Sequence, residues 1–216
     1  MKVKTFEFNP LAVNTYVVSD ETKECVVIDP ACYYPDERET LLNYILDNDL
    51  HVRHIINTHL HFDHIFGVNF IASQFDVKLQ AHQDDEFLIA DLPDQLKMFG
   101  FPSNADFKPE IGNYLTENNV ISFGNQEFKI LHVPGHSPGS LCFYNEKTPC
   151  VFVGDVLFNS SIGRTDLPGG NFEQLISGIK TKLFTLPEET AVYSGHGPIT
   201  TIGSEKVHNP FFESEI

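Results

Sequence analysis

The sequence predicts a mixed α/β domain, and two observations support this prediction. Short apolar runs rich in β-branched residues, typical of strands, alternate along the chain with longer segments whose apolar residues recur at helical spacing. The chain has 216 residues, of which 41% are hydrophobic and 20% charged, a globular balance without a signature of disorder. We therefore expect one domain over residues 1–216. The alternation alone fits either a doubly wound sheet or a sandwich of two sheets with helices outside.

The strand predictions depend on apolar runs bounded by turn residues. Phe6 and Phe8 alternate with polar residues in an opening strand, and a later run stops at Asp29-Pro30, where proline ends the pairing. Further strands are predicted at 15–18, 25–28, 54–57, 77–81, 120–123, 127–133, 141–144, 151–153 and 191–193.

Three segments, 36–50, 65–75 and 171–184, carry apolar residues at helical spacing. Asn171 is a suitable N-cap for the third, and Pro187 ends it. The stretch 84–119, rich in Asp, Asn, Pro and Phe, has no such periodicity. It fits either a short helix with a lid over a site or ordinary surface packing.

A dense group of metal-ligand residue types follows the predicted strand 54–57. The segment reads Thr58-His59-Leu60-His61-Phe62-Asp63-His64, with three histidines and one aspartate within six positions. Imidazole and carboxylate suit zinc, iron and manganese, and a loop at a strand end lets closely spaced side chains converge. This segment therefore predicts one half of a dinuclear metal site.

Three more residues of ligand type follow predicted strands, and each is preceded by a glycine. They are His136, Asp155 and His196. Glycine lets the backbone turn sharply and approach its neighbours closely, and the ends of strands are where sites collect in α/β sheets. Together with the 58–64 segment, these residues predict a complete metal site.

The remaining histidines and the cysteines lack such an arrangement. We expect structural or surface roles for His51, His54, His82, His132 and His208. The cysteines show no C-x-x-C spacing, so we expect buried, reduced thiols at Cys25, Cys32, Cys142 and Cys150.

With these residues identified, the sequence resembles the metallo-β-lactamase superfamily, whose signature is H-x-H-x-D-H followed by a later His, a bridging Asp and a final His. The resemblance runs from Asn14-Thr15-Tyr16 through Ile28-Asp29-Pro30 to His196. It implies a four-layer αββα sandwich. Within the superfamily the chain is most similar to the short glyoxalase II-like, or hydroxyacylglutathione hydrolase-like, proteins, through the segments 158–170 and 195–206.

The resemblance also implies a cofactor and a role for each ligand. Two divalent metal ions are expected, with zinc favoured and iron or manganese open. Their implied ligands are His59, His61 and His136 for the first metal, Asp63, His64 and His196 for the second, and Asp155 for both.

The chain departs from the family near its end. Full-length glyoxalase II enzymes have an extra C-terminal helical domain that helps to hold glutathione, and we expect it to be missing here because the sequence ends at Ile216. Gly197 and Pro198 stand where the family has a glutathione-contacting tyrosine. Arg164 takes the place of a family lysine, and we expect it to anchor a substrate carboxylate.

The expected reaction is hydrolysis of a small-molecule thioester, hydroxyacylglutathione or similar, by a hydroxide that bridges the two metals. Asp63 is the expected catalytic residue, since it would orient the hydroxide while ligating. A leaving thiol with a pKa of about 8.5 needs little general-acid help. An amide would need a proton donor that the sequence does not point to.

The strongest alternative is a mononuclear-iron persulfide dioxygenase of the same superfamily, which shares the Gly-Arg-Thr-Asp segment 163–166 and would use only His59, His136 and Asp155. A non-catalytic metal-binding domain is a further alternative. A β-lactamase would normally be exported, and the zinc enzymes lack a counterpart of Asp155. A flavo-diiron protein would have a glutamate at His61.

Charge and composition limit the partners. The net charge of −16 disfavours nucleic acid and anionic membranes as partners, and therefore an RNA-processing nuclease. No secretory signal follows Met1, and no apolar run is long enough to span a bilayer. We expect a cytoplasmic protein, and the oligomeric state is left open.

Overall fold

The secondary structure is known for residues 1–102 and 107–212 from a computed structural model. The strands are β1 (Lys2–Phe8), β2 (Val13–Ser19), β3 (Glu24–Ile28), β4 (His51–Ile56), β5 (Leu79–Ala81), β6 (Ile111–Tyr114), β7 (Val120–Phe123), β8 (Gln126–His132), β9 (Leu141–Asn145), β10 (Cys150–Gly154), β11 (Leu157–Phe158), β12 (Ser161–Ile162), β13 (Ala191–Ser194) and β14 (Thr200–Thr201). The α-helices are α1 (Pro35–Asp47), α2 (Val68–Phe75), α3 (Glu86–Ala90), α4 (Leu92–Met98), α5 (Phe172–Gly178) and α6 (Ile202–His208).

The strands form two sheets of six. The first has the order β1-β2-β3-β4-β5-β6, antiparallel from β1 to β3 and parallel from β3 to β6. The second has the order β14-β13-β10-β9-β8-β7, in which only β10 and β13 run parallel. Strands β11 and β12 pair as a separate hairpin.

Three apolar clusters show how the layers stack. Val18 and Ile56 of the first sheet pack with Phe143 and Phe152 of the second, so the two sheets face each other. Val17, Val27 and Ile55 point the other way and pack with α1 and α2. On the far side of the second sheet, Val151 and Val192 pack with α5 and α6. The alternation of side chains along each strand thus yields the predicted αββα sandwich.

All three predicted helices differ from the observed ones in their bounds, and the helix predicted over 36–50 is α1, Pro35–Asp47. The helix predicted to begin at 65 begins at Val68, because Phe62–His64 forms a 3-10 turn and Gly67 is the N-cap. Asn171 is confirmed as an N-cap, since its side chain accepts a hydrogen bond from the Gln174 N–H. The helix it starts changes to a π-helical turn over Ile179–Leu183.

The stretch 84–119 holds more regular structure than its sequence indicates. It contains α3, α4 and the edge strand β6, and residues 103–106 lie outside the described part. Phe99, just after α4, packs on Phe62 with ring centroids 4.9 Å apart. The two short helices therefore lie against the 58–64 segment. No helix among the described residues is long and apolar enough to cross a membrane.

Candidate metal centre

The seven predicted ligands meet at one place between the two sheets. Four of them follow β4 of the first sheet and lie in the 58–64 segment. The other three follow β8, β10 and β13 of the second sheet: His136, Asp155 and His196. The site is thus built from both sheets, and it forms only where their strand ends come together.

One group of ring nitrogens converges at the inner side of the site. His136 Nε2 lies 2.9 Å from His61 Nδ1 and 3.3 Å from His59 Nε2. All three rings are almost completely buried. Three imidazole nitrogens this close, each with an in-plane lone pair, suit a divalent transition-metal ion.

A second group lies beside the first. Asp63 Oδ2 is 3.5 Å from His196 Nε2 and 3.9 Å from His64 Nε2. Asp155 lies between the groups, with Oδ2 3.6 Å from His136 Nε2 and 3.5 Å from His196 Nε2. Its other oxygen, Oδ1, is 3.5 Å from His64 Nε2. One carboxylate therefore reaches both groups.

The hydrogen bonding of these atoms fits a metal. His64 Nε2 and Asp155 Oδ1 are buried and have no hydrogen-bond partner among the described residues. Burying a polar atom without a partner is costly, and such atoms are rare in folded proteins. A cation bound by both atoms would remove this cost, so the residues present fit a dinuclear centre.

The outward ring nitrogens have partners that fix which nitrogen faces the site. His136 Nδ1 lies 2.8 Å from the Arg164 carbonyl oxygen, and His196 Nδ1 lies 2.9 Å from that of Leu11. A carbonyl only accepts, so each Nδ1 carries the proton. Nε2 is therefore the free ligand atom on both rings.

Asp29 fixes two further histidines and was missed at the level of sequence. Its Oδ2 lies 3.0 Å from His64 Nδ1 and accepts a 2.7 Å hydrogen bond from the Thr58 hydroxyl, and its Oδ1 accepts from the Thr58 N–H. Because that hydroxyl donates to Asp29, it accepts from His59 Nδ1, 3.1 Å away. Asp29 thereby holds the rings of His64 and His59 with Nε2 free, one for each metal.

Asp85 is a second supporting residue that the sequence did not indicate. It links the 58–64 segment to the residues that follow His136. This fully buried carboxylate accepts hydrogen bonds from the Leu60 N–H, the Ser137 hydroxyl and the Gly139 N–H. Leu60 lies between two ligands of the first sheet, and Ser137 follows the first ligand of the second. Burial raises the pKa of Asp85.

The electrostatics differ between the two groups of ligands. Burial, with repulsion from neighbouring imidazoles, lowers the pKa of His61 to about 3 and that of His59 well below its usual value. Burial would also lower the pKa of His64, but Asp155 and Asp63 raise it well above its usual value. Without metal, His59 and His61 of the first group are therefore neutral imidazoles, whereas the second group contains imidazolium–carboxylate pairs.

The glycines before the ligands are needed for space, as the sequence indicated. A Cβ on Gly195 would lie 2.2 Å from Asp155 Oδ1 and 2.8 Å from His64 Cε1. Gly154 has a positive φ of 51°, and a Cβ there would lie 2.2 Å from the Thr58 hydroxyl oxygen. Any side chain at these positions would push into the ligands or into the residue that orients them.

Arg164 lies at the rim of the site with its guanidinium already paired. Its Nε and an Nη atom donate to the two carboxylate oxygens of Asp166 at 2.7 and 2.8 Å. Its backbone carbonyl is the group that orients His136. The predicted role as an anchor for a substrate carboxylate stays a prediction, and such a carboxylate would compete with Asp166.

A cavity of about 480 Å³ opens over the metal centre. Five of the predicted ligands line its floor, and much of its wall comes from the 84–119 stretch, through α3, α4 and Phe99. A smaller cavity of about 440 Å³ meets the centre on the side of Phe158, Gly197 and Pro198. Two alternatives were open for 84–119, a short helix with a lid over the site or ordinary surface packing. The first fits better, since this stretch forms a wall of the larger cavity.

The other histidines and the cysteines lie outside this cluster. His82 and His132 approach Asp84, but their rings stack with centroids 4.3 Å apart and an angle of 12°, so their in-plane lone pairs do not converge on one point as those of the site do. The four cysteines are free and buried as predicted, and burial raises the pKa of Cys25 to about 12.

Comparison with known proteins identifies the family. The model of the metallo-beta-lactamase superfamily matches residues 8–196, and the chain belongs to that superfamily. Hydroxyacylglutathione hydrolase GloC of Haemophilus influenzae is 36% identical over 216 residues, with all of both chains covered. These findings support a metal-dependent hydrolase, and members of the superfamily bind divalent metals.

Two solved structures are similar over nearly the whole chain. The BLEG-1 B3 metallo-beta-lactamase has a TM-score of 0.89 and 38% identity, covering 99% of this chain and 100% of that one. TTHA1623 in a di-iron-bound form has a TM-score of 0.85 and 37% identity, covering 97% and 100%. The relatives thus include names of different activities, and they leave the substrate open.

Proposed function

We propose that the protein is a thioester hydrolase that uses two divalent metal ions. The first would be held by His59, His61 and His136, the second by Asp63, His64 and His196, and both by Asp155. The observation that carries this proposal is the position of Asp155, whose Oδ2 lies 3.6 Å from a nitrogen of the first group and 3.5 Å from one of the second. A single-metal centre held by His59, His136 and Asp155 would not need the carboxylate to reach the second group as well.

The metal ions and the side chains would have different roles in the reaction. Two divalent ions would bring the pKa of a shared water towards 7 and polarise the substrate carbonyl. Asp63 lies at the floor of the larger cavity, with Oδ2 3.5 Å from His196 Nε2, and its carboxylate can orient the attacking water there. The lowered pKa values of His59 and His61 leave these two rings neutral at pH 7, so they would need no deprotonation to bind a metal.

A thioester suits this set of residues better than an amide does. The leaving thiolate departs without a proton, because its parent thiol has a pKa of about 8.5. In the part of the chain that the structure describes, no lysine or tyrosine lines either cavity over the centre. The apolar surface of the larger cavity, from Leu88, Phe99 and Leu167, fits an acyl or alkyl group.

A second candidate is hydrolysis of a β-lactam. The observation that favours it is the 38% identity to a protein described as a B3 metallo-beta-lactamase, over nearly the whole of both chains. The same two-metal arrangement could open a strained lactam. A cephalosporin therefore belongs in the test beside the thioesters.

The decisive experiment combines metal analysis with a substrate panel. Protein purified without chelator is analysed for zinc, iron and manganese, then tested on S-lactoylglutathione, simple acyl thioesters, a chromogenic cephalosporin and glutathione persulfide. Two metals per chain with thioester cleavage would support the proposal. One iron per chain with oxygen uptake on the persulfide would instead identify a dioxygenase and overturn it.

A variant tests the bridging residue directly. Asp155→Ala should reduce the metal content from two per chain to one or none and lower kcat/KM for a cleaved thioester by at least about 100-fold. Asp47→Ala, on the exposed side of α1, is the matched control and should change neither. Unchanged metal content and activity in Asp155→Ala would refute the assignment.

A further inference from the structure

The wall of the larger cavity carries two carboxylates that no described residue neutralises. Asp91 and Asp94, at the start of α4, both line the cavity and are exposed. Among the residues that the structure describes, neither side chain has a hydrogen bond or an ion pair. Lys97, the cation of the same helix, does not line this cavity. These two negative charges therefore act on whatever enters it.

The positive side-chain charge at the rim of the cavity is paired with a carboxylate. Among the described residues, Arg164 is the sole lysine or arginine that lines the larger cavity, and both oxygens of Asp166 bind its guanidinium. The pair contributes little net field at the rim. The wall is therefore anionic on the α4 side and close to neutral on the Arg164 side.

Aromatic rings lie beside the free carboxylates. Phe62 and Phe99 both line the cavity, and their centroids are 4.9 Å apart. The faces of aromatic rings attract cations, and alkylated ammonium groups combine a positive charge with apolar surface. Leu88 and Met98 add further apolar surface beside the rings. The wall can therefore bind an apolar group that is neutral or positively charged, whereas the carboxylates would repel a negatively charged one.

We propose that Asp91 and Asp94 form a subsite for an ammonium group on the substrate, so that cationic thioesters are preferred to neutral and anionic ones. This inference rests on the proposed thioester hydrolysis and adds a substrate class to it. In a carrier with both charges, such as a γ-glutamyl peptide thiol, the ammonium end would face α4.

The test uses butyryl thioesters that differ in charge and little in shape. The cationic substrate is butyrylthiocholine. The neutral one is the butyryl thioester of 3,3-dimethylbutane-1-thiol, in which carbon replaces the quaternary nitrogen. The anionic one is the butyryl thioester of 3-mercaptopropionate. A second set places the same three charges on the acyl half, with N-acetylcysteamine as the thiol. Thiol release by the metal-loaded protein gives kcat/KM for each substrate.

We expect kcat/KM for the cationic member of at least one set to exceed that of its neutral isostere by about 10-fold, with the anionic member slowest. In Asp91→Asn/Asp94→Asn this ratio should fall to within about twofold of one. Glu39→Gln/Asp47→Asn removes the same two charges from α1, away from the cavity, and should keep the wild-type ratio.

Two outcomes would overturn the inference while thioester hydrolysis stands. One is equal or reversed kcat/KM for cationic and neutral members in both sets. The other is a cation preference that Asp91→Asn/Asp94→Asn leaves unchanged.

If no thioester is cleaved at all, the proposed function fails, and a binding measurement decides the subsite separately. Met98 lines the cavity and Met1 is the other methionine, so a ¹³C-methyl NMR spectrum has two assignable signals. Hexyltrimethylammonium should shift the Met98 signal in the wild type and not in Asp91→Asn/Asp94→Asn. No shift in the wild type would reject the subsite.

Discussion

Asp29→Asn should weaken both metals at once, although Asp29 is a ligand of neither in the proposed centre. The amide keeps the shape of the side chain, and asparagine tolerates the left-handed backbone of this residue, where φ is 49°. The amide oxygen can still accept from the Thr58 N–H. The amide nitrogen then replaces Oδ2, which lies against the Thr58 hydroxyl and His64 Nδ1.

A donor at that position reverses two hydrogen-bond directions. His64 Nδ1 must become an acceptor, so its proton moves to Nε2, the atom that faces the centre. The Thr58 hydroxyl must accept from the amide and donate to His59 Nδ1, which moves the proton of His59 to Nε2 as well. Both rings then present an N–H where a metal needs a lone pair.

The expected magnitude follows from the loss of one orienting partner per metal. Such changes cost 10–100-fold in metal affinity, which is about 1.4–2.8 kcal/mol for each metal. Competition with a chromophoric chelator measures the two dissociation constants. Thr58→Val removes the hydroxyl that links Asp29 to His59 and leaves the contact between Asp29 and His64, so it should weaken the first metal and spare most of the second.

Asp20→Asn provides a matched control for this experiment. Asp20 follows β2 directly, at the end of that strand away from the metal centre. Like Asp29 it accepts three hydrogen bonds, from the Thr22 N–H, the Thr22 hydroxyl and the Asn125 N–H. Both variants should lower the free energy of unfolding of the metal-free protein by about 1–3 kcal/mol. Only Asp29→Asn should weaken metal binding, and wild-type affinity for both metals in that variant would refute the tautomer argument.

Three further predictions concern the ligands themselves. Gly195→Ala should lose most of the second metal, because the new Cβ would lie 2.2 Å from Asp155 Oδ1; metal analysis measures this, and full occupancy would contradict it. Chelation should lower the melting temperature, since a metal at 1,000 times its dissociation constant adds about 4 kcal/mol to stability; an unchanged melting curve would show that metal does not support the fold. At pH 7, binding of the second metal should release protons, because the raised pKa values of His64 and His196 mean that these rings are protonated before the metal displaces their protons. Binding of the first metal should release few protons, because the pKa of His61 is already about 3. Calorimetry in buffers of different ionisation enthalpy measures the number of protons released by each metal. Equal proton release by the two metals would contradict the prediction.

The sequence predicted which residues meet at the site because their pattern is local. His59, His61, Asp63 and His64 are close along the chain, and His136 has the same glycine-before-ligand signal as the other ligands of the second sheet. Each of these positions can be recognised from its own neighbours. The sandwich came from the resemblance, because alternating strands and helices do not by themselves say which strands pair.

The supporting carboxylates could not be found in the same way. Asp29 acts on Thr58 and His64, 29 and 35 positions away, and Asp85 acts on Ser137 at a distance of 52. No local spacing reports such contacts. Asp29-Pro30 was interpreted correctly as the end of a strand, but that interpretation said nothing about the use of its carboxylate.

The helices that wall the cavity were predicted only as one of two alternatives for 84–119, a short helix with a lid, and the reason is different. Helix α3 has five residues and α4 has seven, which is too short for an apolar stripe to repeat. Their stability comes from contacts: Gln95 accepts from the Phe62 N–H and donates to the Leu88 carbonyl, tying α4 to α3 and to the ligand segment. Packing decides this part of the fold, and propensity does not.

The origin of the ligands from two sheets has a consequence for stability. Backbone hydrogen bonds already join the sheets beside the centre, from the Leu141 N–H to the Thr58 carbonyl and from the Asn14 N–H to the Gly195 carbonyl. These bonds do not need metal, so they can hold the strand ends together before any ion binds. In the proposed centre, a metal would add links between the 58–64 segment and Asp155 of the second sheet. Its binding free energy would therefore oppose separation of the sheets as well as supply the chemistry.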